Sequence, residues 1–204
     1  MTYRGPLRDE PVAIELHNTV YAAGGELRDG LTDAASAAAF VRAIAPRLTA
    51  DGLPGGTGPA AAELAALRAA VRAALGAAVA GQPPERDALD AINAAAARAA
   101  VSPRAIVRGG RVVRSVDRHG AGRADVVLAA FAADAIDLLT GPLRGEIRAC
   151  CAPGCVLLYV RDHPRRQWCS NACGNRARQA RHYRRTHAAP AARDAGFDTQ
   201  RRHK

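Results

Sequence analysis

The sequence predicts a mainly α-helical body with one small β-hairpin, followed by a cysteine-rich module near the C-terminal end. Three observations lead to this fold class. Apolar residues recur at intervals of three and four through much of the first 140 residues, which is typical of helices with one buried face. Two short β-rich runs flank Gly109 and Gly110, which predicts the hairpin. All five cysteines lie in the last third of the chain.

The first two helices are predicted over residues 11–22 and 32–48. In the first, apolar residues have helical spacing, and Gly24 and Gly25 are expected to end the helix. In the second, Thr32 can serve as the N-cap because its hydroxyl group can accept a hydrogen bond from a free backbone N–H.

Three further helices are predicted over residues 60–80, about 85–100 and 123–140, and glycine or proline follows the first and the last of them. Between the second and third of these helices lies the hairpin around residues 109–110. We find no internal repeat, no glycine-rich phosphate loop and no serine-nucleophile motif in this body.

Charge divides the chain into two parts. Residues 1–140 contain fifteen arginines and fifteen acidic residues, so their net charge is zero. Residues 141–204 contain thirteen arginines and one lysine against four acidic residues, so they hold the whole formal charge of +10. A neutral body with a basic C-terminal module indicates a polyanionic partner such as DNA or RNA.

The start of the chain has no apolar run after its first charges, so no signal peptide is predicted. No segment approaches the roughly 20 apolar residues that a membrane helix needs. We therefore expect a cytoplasmic protein without a membrane partner, associated with the nucleoid when it is bound to DNA. In a reducing compartment, clustered cysteines favour metal binding over disulfides.

The cysteines form two close pairs on either side of a short connector. The second pair is Cys169 with Cys173, and the first is Cys155 with either Cys150 or Cys151. Zinc prefers four soft ligands in a tetrahedron, and each short loop can bring two thiolates to one point. The spacing therefore predicts one four-cysteine zinc site.

The order of the remaining elements predicts a treble-clef-like finger. Connector 156–168 can form two short strands around Asp162, and Ser170 and Asn171 can cap a helix that begins at the second pair. Four thiolates leave no open coordination position, so the zinc is expected to be structural. We expect several nearby arginines to offset the net negative charge of this site: Arg148, Arg165, Arg166 and Arg176.

The helix that follows is rich in arginine. Arg178, Arg181 and Arg185 share one face, where they can neutralise phosphates or enter the major groove. The other face, with Ala177, Ala180 and Tyr183 or Arg184, is expected to pack on the zinc core. Asn175 and Arg176 have two equally favoured roles, which are support of the zinc ligands and contact with DNA bases. The candidate nucleic-acid-binding residues are Asn175, Arg176, Arg178, Arg181, Arg184 and Arg185.

Around the second cysteine pair the chain resembles the CGNR zinc-finger family. The four residues that name this family are residues 173–176, and they follow Trp168, Cys169 and Ser170. The Cys-Ala-Pro-Gly-Cys segment and the Arg-Arg pair before Trp168 are also similar to this family. Residues 16–32 resemble the opening segments of the α-helical ABATE domain, which usually precedes this finger. The resemblance covers nearly the whole chain.

This resemblance implies a stress-induced transcription regulator that binds DNA. It also implies that Cys150, which is separated from Cys155 by four intervening residues, completes the first pair. We expect an ABATE-like helical domain over residues 1–142, a finger over 143–187 and a flexible basic tail over 188–204. The helical domain is the candidate sensor or dimerisation unit, which leaves a homodimer and a small-molecule effector open. Candidates for ligand contact there are His17 and Asn18.

DNA binding is the favoured function, and an RNA- or ribosome-associated zinc protein is the alternative. The aromatic content of 4% provides few stacking platforms, which slightly disfavours single-stranded RNA as the partner. An enzyme or a small-ligand binder ranks last, because residues 1–140 show no cluster of acid, base and nucleophile. We therefore expect no catalytic activity.

Overall fold

The computed structural model describes residues 2–49 and 52–187, so the predicted basic tail, 188–204, lies outside the described residues. Its helices are α1 (Val12–His17), α2 (Ala34–Leu48), α3 (Ala61–Val79), α4 (Arg86–Ala97), α5 (Arg123–Thr140) and α6 (Asn171–His187), with a 3-10 helix at Pro142–Glu146. Its strands are β1 (Val20–Ala23), β2 (Glu26–Asp29), β3 (Ser102–Arg108), β4 (Arg111–Asp117), β5 (Ile147–Ala149) and β6 (Leu158–Val160). Consecutive strands pair as antiparallel hairpins. The mainly α fold class is confirmed.

The core of the body lies among the five helices α1 to α5. Phe40 of α2 and Phe131 of α5 are fully buried, and their rings stack with centroids 5.7 Å apart. Leu64 and Leu75 lie on the apolar stripe that the sequence shows for α3, and both are fully buried. Burial of such stripes is the main stabilising contribution to a helical body of this kind.

The first helix is shorter than predicted. It ends at His17, and the chain continues into β1, so Gly24 and Gly25 form the turn of a hairpin rather than the end of a helix. Both glycines have positive φ, 63° and 84°, which favours glycine at these positions. At the helix end the Thr19 hydroxyl donates to the carbonyl of Leu16 at 2.8 Å, which offers the backbone an alternative to another helical turn.

The N-cap of α2 is Asp33 rather than Thr32. Its carboxylate accepts a hydrogen bond from the backbone N–H of Ser36 at 2.7 Å, and the Ser36 hydroxyl accepts one from the N–H of Asp33 at 3.0 Å. The Thr32 hydroxyl only donates to the Asp33 carboxylate, at 3.3 Å. Asp33 and Ser36 thus form a reciprocal pair of hydrogen bonds, a capping box, which stabilises the helix start more than a single bond from Thr32 would.

The C-terminal module shares the core of the body. Ile147 of β5 and Leu158 and Val160 of β6 are buried in the same apolar cluster as the helices. The Asn18 amide joins the two parts, because its nitrogen donates to the Leu158 carbonyl and its oxygen accepts from the Leu158 N–H, both at 2.9 Å. The finger is therefore docked on the helical body. The boundaries of 1–142 and 143–187 stay a prediction.

His17 lies beside this contact and is only 5% exposed. Its Nδ1 is 3.1 Å from the Asn18 side-chain oxygen, and its backbone carbonyl accepts a hydrogen bond from Arg72 at 3.0 Å. Burial, together with the charge of Arg72, lowers the pKa of His17 to about 4. Protein groups thus engage Asn18 and surround His17, and a ligand role for either stays a prediction.

This histidine should make the fold sensitive to acid. The unfolded chain binds the proton near pH 6.5 and the folded chain only near pH 4, so unfolding becomes more favourable as pH falls through this interval. From pH 7 to pH 5 we expect His17 to lower the free energy of unfolding by about 2 kcal/mol. Urea titrations of the wild type and His17→Gln at both pH values measure this loss of unfolding free energy. Equal losses in the two proteins would contradict it.

Candidate metal centre and basic helix

Four cysteine sulfurs come together at the start of α6. The Sγ atoms of Cys150, Cys155, Cys169 and Cys173 all lie within 4.8 Å of one another. The distance from Cys169 to Cys173 is 3.5 Å, and Cys155 is 3.8 Å from each of these two. A tetrahedral zinc with Zn–S bonds near 2.3 Å requires sulfur–sulfur distances of about 3.8 Å. The residues present therefore fit a zinc ion.

The first cysteine pair lies in a tight turn between β5 and β6. The Cys155 N–H donates to the Ala152 carbonyl at 3.0 Å, and the Cys150 N–H donates to the Leu157 carbonyl at 3.0 Å. Gly154 has a φ of 70°, a left-handed conformation that glycine adopts at little cost. These bonds turn both thiols of the pair toward the same point.

The second pair is positioned by the start of α6. The helix begins at Asn171, and the Ser170 hydroxyl accepts a hydrogen bond from the Cys173 N–H at 3.3 Å. Ser170 therefore caps the helix, as predicted. Cys169 lies just before the cap and Cys173 in the first turn, so the cap fixes the separation of the two thiols.

The predicted hairpin within connector 156–168 is wrong. The connector supplies one strand, β6, and its partner is β5, which precedes the first cysteine pair. The reason is the burial of β5 and β6 against the helical body. By contrast, the segment around Asp162 is exposed and forms a turn in which the Arg166 N–H donates to the His163 carbonyl at 2.9 Å.

The structure distinguishes the two adjacent cysteines. Cys150 is buried within the sulfur cluster, whereas Cys151 is exposed, and its thiol lies 3.7 Å from the Ala149 carbonyl. Successive side chains of an extended chain point in opposite directions, so only one member of the doubled cysteine can face the cluster. The geometry brings Cys150 to that position.

Crowding of the thiols perturbs their ionisation. Hydrogen bonds from Cys155 and Cys169 lower the pKa of Cys150. The pKa of Cys169 is raised instead, by its hydrogen bonds to Cys150 and Cys155. Close thiols cannot all carry negative charge without compensation. A divalent cation provides that compensation, and four sulfur ligands leave it no position for water. The site is thus suited to a structural ion.

Of the four arginines expected to offset the charge of the site, one contacts a sulfur of the cluster in the described part of the chain. Arg176 donates from its guanidinium to Cys173 Sγ at 3.3 Å. Arg166 instead contacts the Glu10 carboxylate and the Val160 carbonyl, and Arg148 bonds to the Ile147 carbonyl. Arg165 is exposed. Closeness in sequence therefore did not predict which arginines contact the negatively charged sulfur cluster.

The other residues of the Cys-Gly-Asn-Arg motif form contacts within the protein. A Cβ atom on Gly174 would lie 3.1 Å from the Trp168 ring, so the small residue permits close packing of α6 on this indole. The Arg178 guanidinium lies over the same ring, 5.8 Å from its centroid, and donates to the Asn175 side-chain oxygen. The motif thus combines one cysteine of the sulfur cluster with residues that orient the first turns of the helix.

Beyond these turns α6 leaves the protein surface. Its buried residues are Cys173, Gly174 and Ala177. The predicted packing of Tyr183 on the zinc core is wrong, because Tyr183 is 62% exposed and stacks on His187 with ring centroids 4.0 Å apart. The finger is too small to cover the third and later turns. The arginines on this projecting part, all of them exposed, are Arg181, Arg184 and Arg185, whereas Arg178, also exposed, lies over Trp168.

A cluster of four cysteine sulfurs that orders an arginine-rich helix defines a zinc-finger protein. Family comparisons agree with this class. Residues 10–142 match the ABATE model, described as "Putative stress-induced transcription regulator", and residues 146–186 match the CGNR zinc finger. The chain therefore belongs to the ABATE family and carries a CGNR zinc finger, which confirms the resemblance seen in its motifs.

The match also bears on the cofactor and on the class of activity. A CGNR zinc finger with four clustered cysteines carries one structural zinc ion. The two families are described as a regulator and a zinc finger, and neither description names an enzyme. No curated protein matches the chain. In the described part of the chain, we find no helix with the length and apolarity needed to span a bilayer.

Proposed function

We propose that this protein is a DNA-binding transcription regulator whose zinc finger presents a basic helix to DNA. The observation that carries the proposal is the way in which α6 is held. Its first turns are fixed by the sulfur cluster and by Trp168, while its later turns project from the body with arginines exposed. A helix held at one end and basic at the other can lie against a phosphate backbone without refolding.

The dimensions and charge of α6 favour duplex DNA. Its seventeen residues extend about 25 Å, and a helix of this kind fits the major groove, which is about 12 Å wide. It contains no acidic residue, and the described residues show no ion pair for Arg181, Arg184 or Arg185. These side chains are thus available for phosphates or guanine edges.

Zinc acts in this mechanism by fixing shape. Cys150, Cys155, Cys169 and Cys173 are the proposed ligands, and Arg176 offsets part of the charge of the thiolates. In the proposed complex the ion takes no part in chemistry and does not touch DNA. It holds the turn between β5 and β6 against the start of α6, so that the arginines keep a common orientation.

Selection of bound fragments from genomic DNA, with and without a chelator, tests the proposal. We expect zinc-loaded protein to enrich a defined set of duplex sequences and chelated protein to lose that enrichment. Affinity for duplex DNA and for structured RNA should then be compared at equal salt. Tighter binding to RNA would favour the RNA-associated alternative and overturn DNA binding.

Loss of two arginines from α6 should weaken binding to every duplex sequence. If Arg181 and Arg185 each neutralise one phosphate, R181A/R185A should lower affinity about 30-fold at about 0.15 M salt. The slope of log affinity against log salt should fall by about two. Fluorescence anisotropy over a salt series measures both quantities.

Arg86→Glu is the matched control, because it changes the net charge by the same amount at a position on α4 whose side chain is 90% exposed. We expect this variant to bind DNA nearly as the wild type does. An R181A/R185A protein that binds like the Arg86→Glu protein would show that α6 does not contact phosphate.

A further inference from the structure

On the basis of the DNA-binding function proposed above, we propose that the β3–β4 hairpin is a second DNA contact, in which an arginine-tipped β-ribbon enters a groove of the duplex. The hairpin lies in the helical body, whose net charge is zero, and it is separate in sequence from the zinc finger. Four features of the hairpin support this role: its projection, its charge, its register and its exposed valines.

The hairpin projects from the body as a two-stranded ribbon. Its strands have seven residues each, about 24 Å of extended chain, and they pair from Ser102 opposite Asp117 to Arg108 opposite Arg111. Gly109 and Gly110 form the tip, with φ of 58° and 74°. Within the described residues the two strands pack mainly on each other. A ribbon left uncovered in this way is marginally stable alone and is available to a partner.

The ribbon is strongly basic although the body is neutral. Residues 102–118 contain five arginines and one acidic residue, so their net charge is +4. That acid, Asp117, pairs with Arg104 at 3.6 Å. Arg108, Arg111 and Arg114 are exposed and have no ion pair among the described residues. The body therefore has a net charge of zero although its hairpin is locally basic.

The register of the hairpin favours a polyanion rather than a second copy of the chain. Arg108 and Arg111 lie directly opposite each other, and like charges in this arrangement destabilise a hairpin. Phosphates would relieve this repulsion, whereas two hairpins packed tip to tip would double it. The observed charge pattern thus has an energetic cost in the free protein that a nucleic-acid duplex would offset.

The shape of the tip suits a groove. Val107 and Val112 pair across the strands next to the arginines, and each is 74% exposed. Two-stranded ribbons of this kind enter DNA grooves. Arginines bind the narrow minor groove of A-tracts. Apolar side chains pack on thymine methyl groups or between base steps. The tip offers arginine and valine together, which a purely solvated surface would not require.

The hairpin and the finger are separate elements that lie on either side of α5 in the chain. If both contact the same duplex, they protect different stretches of it. The footprint should therefore be longer at one end than the α6 contact alone requires.

The test compares the wild type, R108A/R111A and Arg86→Glu on a duplex selected by the wild-type protein. Because both replaced side chains are exposed, the double variant should retain its zinc and its circular dichroism spectrum. We expect its affinity at about 0.15 M salt to fall about 30-fold and its salt slope to fall by about two. Its footprint should also shorten at one end. Affinity within twofold of Arg86→Glu, with an unchanged footprint, would overturn the inference.

Parallel measurements separate this inference from the proposed function. A wild type that binds no duplex DNA would overturn the DNA-binding proposal and the hairpin contact with it. Weakening by R181A/R185A without weakening by R108A/R111A would overturn the hairpin contact alone. The remaining alternative is that the ribbon joins two copies of the chain. Analytical ultracentrifugation tests it, because a wild-type dimer that dissociates in R108A/R111A would show that the ribbon forms the dimer contact and not a DNA contact. Weakened binding of structured RNA with unchanged DNA binding would likewise reject DNA as the partner.

Discussion

Replacement of Cys169 by serine is expected to remove the zinc and to unfold the finger. Cys169 is buried, and its sulfur lies 3.5 Å from that of Cys173 and 3.8 Å from that of Cys155. Zinc binding contributes roughly 10–16 kcal/mol to folding of small four-ligand sites at neutral pH, which exceeds what so small a core can otherwise provide. Elemental analysis should find less than one zinc per chain, and limited proteolysis should cleave within α6.

The adjacent thiol provides a matched control. Cys151→Ser changes the same functional group one residue from Cys150, but the Cys151 side chain is exposed and lies outside the cluster. This variant should keep one zinc and resist proteolysis as the wild type does. Full zinc occupancy and an intact α6 in Cys169→Ser would contradict the ligand role of Cys169.

Loss of the finger should also weaken the helical body. Ile147, Leu158 and Val160 belong to the apolar core that the helices share, so unfolding of the finger exposes part of that core. We therefore expect the Cys169→Ser body to melt at a lower temperature than the body of the zinc-loaded protein, with most of its helical circular dichroism signal retained before the transition.

Glu10→Ala should cost about 3 kcal/mol of folding free energy. Glu10 is 3% exposed, and its carboxylate accepts hydrogen bonds from the Val160 N–H, at 2.9 Å, and from the Arg166 guanidinium. Burial raises the pKa of Glu10, and these two bonds oppose that effect by stabilising the charged form. Alanine would leave the buried Val160 N–H without its acceptor, and it would leave the mostly buried Arg166 guanidinium with the exposed Asp162 as its remaining ion-pair partner.

Chemical denaturation of the zinc-loaded protein measures this cost. Glu26→Ala is the control, because it removes an acidic residue that is exposed on β2. Glu10→Gln should be destabilised less than Glu10→Ala, since the amide oxygen can still accept from the Val160 N–H. A Glu10→Ala protein within about 0.5 kcal/mol of the Glu26→Ala protein would show that the contact does not stabilise the fold.

Local patterns predicted much of the body. The apolar stripes placed α3 and α5 within a residue of their observed limits, and glycine at 109 and 110 placed the β3–β4 turn. Such features depend on neighbouring residues, so they are readable from the sequence. Cysteine spacing likewise located the sulfur cluster, although the choice between Cys150 and Cys151 required the fold.

Features that depend on distant partners were missed. Asn18 binds Leu158 across 140 residues, and Glu10 binds Arg166 across 156, and no local spacing indicates either pair. These contacts tie the start of the body to the finger.

Charge counted over long segments hid one basic surface. The zero net charge of residues 1–140 is correct, yet it averages the +4 of residues 102–118 with acidic residues elsewhere in the body. A window matched to the predicted hairpin would have found it. A charged partner responds to the local potential within about a Debye length, ~8–10 Å, rather than to the net charge of a whole domain.

Zinc K-edge X-ray absorption of the purified protein tests the central claim most directly, namely that one sulfur-bound ion gives α6 its fixed position. The four-cysteine geometry predicts one zinc per chain surrounded by four sulfur atoms at about 2.3 Å. Absence of zinc, or a shell that contains nitrogen or oxygen in place of sulfur, would contradict it.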